Sequence, residues 1–367
     1  MRPCTCAPRA GRALMRSLAF FAVIAGVELL IPSRAFANPQ VQAPAPAGTA
    51  GRATARAGRH PVGAAVSPGP SRALAAPGRG VTETSRLEVG PVGAPFATLD
   101  IVNVLGDLRI VGHDGPTVVI EADKQAPDAA TLARLRVSLV PDATGTVTLA
   151  TAVDTPVEAQ PVTRAAVRVD LRVLVPRAAH VQAEVSHGEL QLVDVDGGGA
   201  LTAMTGRIVV RNVSGGLTTT SLAGPQRIET VFGDLDLSAL QGEVSVQGAA
   251  GPAFVASTQQ GGIMVSRVAS RRVALTTTDG AIQFLSAVTP GQTIALRSVR
   301  GDVIVKLSAT GKVALAALAP TLELPAAARR DAITGIGTLQ LGAGASETTV
   351  LTLTSRFGVV RVATGTW

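Results

Sequence analysis

From His187 to Thr258 the chain alternates apolar and polar residues in short runs, each closed by a glycine. The glycines recur on a regular nine-residue beat, at Gly188, Gly197, Gly206, Gly215, Gly224, Gly233, Gly242 and Gly251. Units such as HGELQLVDV, TGRIVVRNV and FGDLDLSAL favour apolar residues at their fourth, sixth and ninth places. Alternation of period two predicts a strand in each unit, and the glycine predicts a turn. Self-similarity at a fixed short period marks a solenoid, in which no unit buries its apolar face alone and stacking supplies the core.

The same grammar extends beyond the beat. Ala97-Leu99-Ile101, Leu108-Arg109-Ile110 and Val118-Val119-Ile120 read as strands, with turns at Gly106-Asp107 and Asp114-Gly115, and a short helix or irregular excursion is expected over Asp128 to Leu135. Strands return over Val137–Leu139, Thr146–Leu149 and Val167–Pro176, with a loop between Thr155 and Thr163. After Gly242 the beat slows to Gly261, Gly280 and Gly301, and Pro325 to Ala332 reads as an inserted loop in a final strand-forming stretch. Two nine-residue units make one coil if the solenoid is two-sided. The later spacings then give an all-β parallel β-helix, a β-solenoid, of about 18–20 residues per coil. Charges agree with that period: one such coil apart, Glu189 stands over Arg207 and Arg211 over Glu229. Opposite charges favour a ladder of this kind. Side-chain contact is expected in both pairs. Leu190, Val210, Ile228 and Val246 are expected to point inward.

Composition changes this picture at the N-terminus. Residues 1–37 carry Arg9, Arg12 and Arg16, an apolar run from Ser17 to Ile31, and the small-x-small site Ala35-Phe36-Ala37. They read as a signal peptide cleaved before Asn38. Met15 could also serve as the start. The run is shorter than a membrane span and contains Glu28, so no transmembrane anchor is expected after cleavage. Residues 38–80 hold 26 Ala, Gly or Pro among 43, with five arginines and no acid, and read as a disordered linker. The folded domain is then 81–367. Both cysteines, Cys4 and Cys6, leave with the signal, so an exported domain would depend on packing alone.

The net charge of +7 suggests nucleic acid until it is located. From residue 81 onward 23 basic groups face 25 acidic ones, and with no Tyr and eight Phe in the whole chain there is little to stack on bases. A nucleic-acid partner is therefore not expected. Calcium rolls need an aspartate at one place in every unit. Here the residues after the beat glycines run Glu189, Gly198, Arg207, Gly216, Pro225, Asp234, Glu243 and Pro252. His60, His113, His180 and His187 are too scattered for a zinc site, and Gly197-Gly198-Gly199 and Gly335-Ile336-Gly337 lack the rest of a nucleotide fingerprint. No cofactor, metal or catalytic residue is expected. A glycan-active enzyme would need converging carboxylates, and Asp194 with Asp196 or Asp234 with Asp236 are the candidates. The threonine runs 218–220 and 276–278 read as exposed, with β-propensity on a solvent face or stacked hydroxyl ladders as the two explanations. Trp367 at the end lacks the aromatic girdles that would support a membrane barrel.

The phrases VNVLGDLRIVGHDG, VDLRVLVP, SHGELQLVDVDG, MTGRIVVRNVSG, VFGDLDLSALQG, VRGDVIVKL and the closing GTLQLGAGASETTVLTLTSRFGVVRV together resemble the bacterial putative-adhesin domain, over residues 84 to 364. That resemblance implies a right-handed parallel β-helix, exported or envelope-associated, related to the heads of auto-transporter adhesins and carrying no catalytic residue. It implies a partner that is an envelope or surface polymer or protein, and a location in the periplasm, at the outer-membrane surface or outside the cell. The chain departs from that family's asparagine-glycine turns, using Ser-His-Gly, Met-Thr-Gly, Val-Phe-Gly and Val-Arg-Gly.

Overall fold

A computed structural model describes residues 80–89, 98–141, 146–154, 167–309, 311–326, 328–330, 337–341 and 348–365. The leader 1–37, the linker apart from Gly80, the loop 155–163 and Trp367 lie outside these residues. Those described belong to one unit, Ala73–Trp367, in which two long sheets face each other. No helix among them is long and apolar enough to cross a membrane.

The first sheet runs through Leu190–Val195, Ile208–Ser214, Gln226–Phe232, Val244–Ala250, Ile263–Val268, Ile282–Val288 and Val303–Ala309, each parallel to the next. The second takes the intervening strands, His180–His187, Gly199–Thr205, Leu217–Ala223, Leu235–Gln241, Ala253–Gln260, Arg272–Asp279 and Thr293–Arg300. The coil is therefore two-sided. It lengthens along the stack, from the step that pairs Val210 with Ile228, through that pairing Val246 with Val265, to that pairing Phe284 with Val305. Alternation points every second residue between the sheets. Leu190, Val210, Ile228 and Val246 are accordingly all 1% exposed or less. Full burial of such a side chain contributes about 1.5–3 kcal/mol.

Successive beat glycines occupy opposite corners. Gly188, Gly206, Gly224 and Gly242 stack where the second sheet passes to the first, and Gly197, Gly215, Gly233 and Gly251 where the chain returns. At Gly206 two demands coincide: φ is +135°, and an added Cβ would stand 1.8 Å from the Gly188 carbonyl oxygen. Only glycine meets both. The carbonyls of this corner column also accept bonds from buried hydroxyls of a neighbouring coil. Thr277 Oγ1 donates to the Gly261 oxygen (3.0 Å), Ser298 Oγ to Gly280 (3.0 Å) and Ser355 Oγ to Gly301 (2.8 Å).

The nine-residue unit folds in two ways. In the first sheet Asp194, Asn212, Thr230 and Arg267 adopt φ of 53–57° and Gly248 adopts 82°, one above another, and the pairing skips them, passing from Arg211–Glu229 to Val213–Val231. Each is a bulge residue. The extra residue turns the ninth-place Val195, Val213 and Val231 back into the core, all 1% exposed or less. In the second sheet the ninth-place Met204, Leu222 and Leu240 instead face outward, at 44%, 44% and 36% exposure. There the strict alternation also corrects the expectation that the threonine runs are exposed throughout. Thr219 and Thr277 are fully buried, and only their neighbours in each run face solvent or lie half-buried.

The ends depart from chain order. Thr98–Asn103 is inserted between His180–His187 and Thr146–Val153, and Leu108–His113 between Leu190–Val195 and Arg168–Pro176. At the other end Thr348–Ser355 slips between Thr293–Arg300 and Gly311–Leu318, and Val359–Thr364 between Val303–Ala309 and Thr321–Glu323. Antiparallel strands then close the stack: Val118–Ala126 with the polar Val81–Val89, Leu135–Pro141, and Gly337–Leu341 with Ala328–Arg330. The stretch expected as an inserted loop thus contributes the short strand Ala328–Arg330. A single helical turn, Ala129–Leu132, starts at Asp128. The Asp128 carboxylate accepts from the Thr131 N–H at 2.7 Å. That bond satisfies one of the free donors at the helix start.

Candidate functional site

The outer face of the first sheet displays side chains in columns, because a parallel register repeats each outward position from coil to coil. One column runs Arg109, Gln191, Val209, Arg227, Ser245, and the next runs Val111, Val193, Arg211, Glu229, Gln247. Beside them stand the residues that follow the corner glycines, Glu189, Arg207, Pro225 and Glu243. All of these except Val111, Glu229 and Gln247 line a groove of about 580 Å³ whose walls include Arg109, Arg207, Arg211 and Arg227. Val209 points outward, yet it is only 7% exposed. Long arginine stems around an outward valine make an apolar floor under charged heads.

Beside the groove one carboxylate serves two of its guanidiniums. Arg211 Nε lies 3.0 Å from Glu229 Oε2, and Arg227 Nε lies 2.6 Å from Oε1. Arg227, then Arg211, hold the Glu229 carboxyl below the ordinary glutamate value. Arg211 and Glu229 are cross-strand partners one coil apart. Glu189 and Arg207 line the same groove, but Glu189 Oε1 accepts from Gln191 Nε2 at 2.6 Å and no ion pair within 4 Å joins it to Arg207. The donor that Glu189 does meet is local, since Gln191 lies two residues along the chain. Among the described residues, no carboxylate lies within 4 Å of Arg109 or Arg207.

The candidate acidic pairs are occupied differently. Asp194 is a bulge residue whose Oδ1 accepts from Asn212 Nδ2 at 2.7 Å, and Asp234 Oδ1 accepts from the Ala253 N–H at 3.1 Å across the corner. Asp236 stands outward between Thr218 and Val255, and desolvation there pushes its carboxyl above the ordinary aspartate value. His113 Nδ1 accepts from the Gly115 N–H at 3.0 Å, and Nε2 lies 2.7 Å from the Thr117 oxygen. His180 Nδ1 lies 3.1 Å from the Gly197 oxygen, and His187 is exposed at the end of its strand.

Three polar clusters have no precedent in the sequence reading. Asn103, fully buried, donates through Nδ2 to the Gly106, Asp107 and Val169 oxygens and accepts at Oδ1 from the Leu105 N–H and Thr151 Oγ1. Gln226, alone among the aliphatics of its inner column, accepts from Thr219 Oγ1 at 2.6 Å and donates to Ser221 Oγ at 2.8 Å. Arg168 bridges Asp107 (2.6 Å) and Asp170 (2.7 Å), while Asp107 Oδ1 accepts from the Glu189 N–H at 2.8 Å. The groove itself needs Arg109 beside Gln191, a pairing that spans several coils' length of chain. The glycine beat carries no trace of that step.

No family model matches the chain, and no curated protein matches it. Several solved structures are similar to it. A putative cell adhesion protein from Clostridium sporogenes ATCC 15579 covers 78% of this chain and 100% of its own, at 9% identity and a TM-score of 0.24. A putative adhesin from Parabacteroides distasonis ATCC 8503 covers 77% and 97%, at 10% identity and 0.36, and one from Parabacteroides merdae ATCC 43184 covers 78% and 96%, at 9% and 0.33. Likeness this distant leaves function to be argued from the chain's own side chains.

Proposed function

We propose that the chain is an exported cell-envelope or extracellular adhesin-like β-solenoid, wound right-handed, with a structural or surface-binding role and no catalysis. In this reading residues 1–37 are a cleaved signal, 38–80 a tether and 81–367 the binding body. The observation that carries it is the in-register display on the outer face of the first sheet, where equivalent positions recur every coil. Neighbouring strands lie about 4.8 Å apart, so such a face offers many weak contacts at regular intervals, and these sum along an extended partner. Right-handed winding is the hand that parallel crossovers take in general.

The test is to tag the chain at its C-terminus, fractionate the cells and sequence the mature N-terminus. Recovery from the periplasm, outer membrane or medium with Asn38 first is expected. A cytoplasmic chain that retains residues 1–37 would overturn the proposal. A glycan-active enzyme is the second reading, favoured by Asp236, whose carboxyl is pushed up by desolvation, the direction a general acid requires. Hydrolysis or lyase activity on a polysaccharide panel that disappears in Asp234→Asn and Asp236→Asn would establish it in place of passive binding.

A further inference from the structure

We infer that the four-arginine groove on the first sheet is a binding site for an acidic polysaccharide, one whose sugars carry carboxylates. The inference rests on the surface-binding role above and specifies its ligand.

Charge is the first argument. Arg211 and Arg227 are both turned onto Glu229, but Arg109 and Arg207 meet no carboxylate within 4 Å among the described residues. A guanidinium offers five N–H donors in a planar fork that matches a carboxylate, so two such forks without acid partners at one groove are a ready anion site. Glu189, the acid nearest to Arg207 in the coil register, is already held by Gln191 at 2.6 Å.

Shape and chemistry are the second. A volume of about 580 Å³ fits a short run of sugar rings. It lies within the range of small-ligand sites. The Val193 and Val209 floor suits the C–H face of a ring, and Gln191 and Ser245 on the rim suit hydroxyls. Arg109 and Arg227 stand three coils apart in one column. At ordinary strand spacing that is roughly 14 Å, so a polymer with regularly spaced charges can meet both. No aromatic side chain lines the groove, which removes the stacking platform that a single-stranded nucleic acid uses.

The experiment measures binding of the full mature chain to polygalacturonate, with dextran and single-stranded DNA as the other arms, at low and at physiological salt. Polygalacturonate is expected to bind, more weakly as salt rises, and dextran is not. Arg109→Gln and Arg207→Gln should each weaken binding roughly tenfold, as loss of a charge-assisted hydrogen bond does, and together should reduce it to the level of the tether alone. The five tether arginines contribute equally to every variant, so the difference reads the groove. Arg297→Gln, an exposed arginine on the second sheet, is the control and should leave affinity unchanged. Unchanged melting of the variants separates lost contacts from lost fold. Failure of polygalacturonate to bind, affinity indifferent to Arg109 and Arg207, or equal affinity for single-stranded DNA would overturn the proposal. An exported, envelope-retained chain that gives any of these results loses the ligand but keeps the wider role, whereas a cytoplasmic chain loses the wider role whatever it binds.

Discussion

Between Gly199 and Val268 every strand pairs with the strands one coil before and one coil after it. Near the ends a strand's neighbours come from much further along the chain, as where Leu108 lies beside Leu190 and Thr293 beside Val350. The middle is thus stabilised coil by coil, each adding its own inner side chains to the columns. Each end is interleaved. The first-sheet strand Leu108–His113 is covered by Arg168–Pro176 and then by antiparallel Val118–Ala126, whereas the closing Val359–Thr364 is covered by the three-residue parallel strand Thr321–Glu323, the outermost described strand at that end of the sheet. A parallel stack with open ends would template further strands. Folding a coil one step inward, with antiparallel strands added at three of the four described sheet ends and a three-residue strand at the fourth, leaves the long parallel run without a long open edge.

The largest effect should come from undoing the interleaving. A chain ending at residue 347 loses four buried aliphatics, Leu351, Leu353, Val360 and Val362, and leaves Gly311–Leu318 without its parallel neighbour. Their burial is worth roughly 6–12 kcal/mol. Hydrogen exchange should show protection lost over 293–323 and kept over 199–268. Equal loss in both would mean that the ends and the middle unfold as one, and the distinction between them would fail.

Next is a charge in a middle column. Val210 lies between Leu192 and Ile228, fully buried. Val210→Asp or Leu235→Asp should cost about 4 kcal/mol or more, read by denaturant melts. A soluble variant with unchanged melting would contradict the inward placement. Corner geometry gives the third test. At Gly224 φ is +137° and a Cβ would stand 1.8 Å from the Gly206 oxygen, while at Gly248 φ is +82° and the nearest atom is 3.7 Å away. Gly248→Ala should cost only the left-handed backbone, about 1–2 kcal/mol, and Gly224→Ala more, about 3 kcal/mol, because its coil must also shift. Equal costs would show that backbone conformation, not coil spacing, demands glycine at the corner.

These contrasts explain what could be read from the chain beforehand. Coil length was legible because each corner needs Gly188, Gly206, Gly224 and their successors, and because the drift through Gly261, Gly280 and Gly301 matches one turn of a two-sided stack. The bulge was half visible. Apolar fourth, sixth and ninth places break strict alternation, but the letters do not say that Val213 turns inward through Asn212 while Leu222 stays outside. Thr219 and Thr277 were misread for a related reason, since a run of three identical residues hides which one faces the core. The interleaved ends were illegible. Leu108 pairs with both Leu190 and Leu171, each far along the chain, and no beat marks either distance. The groove shared that obscurity, because Arg109 belongs to an end and Gln191, Arg207 and Arg227 to the middle.

Asn103 tests the end where no repeat helps. It occupies an inner column of mostly small residues that continues through Val185, Ala203, Ser221 and Ala239 to Ser298 and Ser355, but it alone in that column donates to three backbone oxygens. Asn103→Leu should cost about 2–3 kcal/mol, since buried carbonyls would be left unpaired, against about 1 kcal/mol for Ser298→Ala elsewhere in the same column. Thermal melts of the two variants side by side decide it. Equal losses would make Asn103 one more member of its column instead of the device that closes the N-terminal coils.

The smallest effect compares an ion pair in each region. Glu229, in the middle, is held by Arg227 and Arg211 with its side chain 25% exposed, and Glu323, in the last coil, by Arg361 with 48% exposed. Both carboxyls titrate below the ordinary glutamate value of 4.5, chiefly through the arginine hydrogen bond. A depressed carboxyl stabilises the fold above the unfolded value and loses that contribution as pH falls through the folded one. Glu229→Gln should therefore cost about 0.5–1 kcal/mol at neutral pH. The difference from wild type should vanish on acidification below 4.5. Glu323→Gln, with more water around its pair, should show the same sign and a smaller shift in melting temperature. If Glu323 proves the more costly, the last coil depends on its side chains more than the middle does, and interleaving alone would not account for how that end is held.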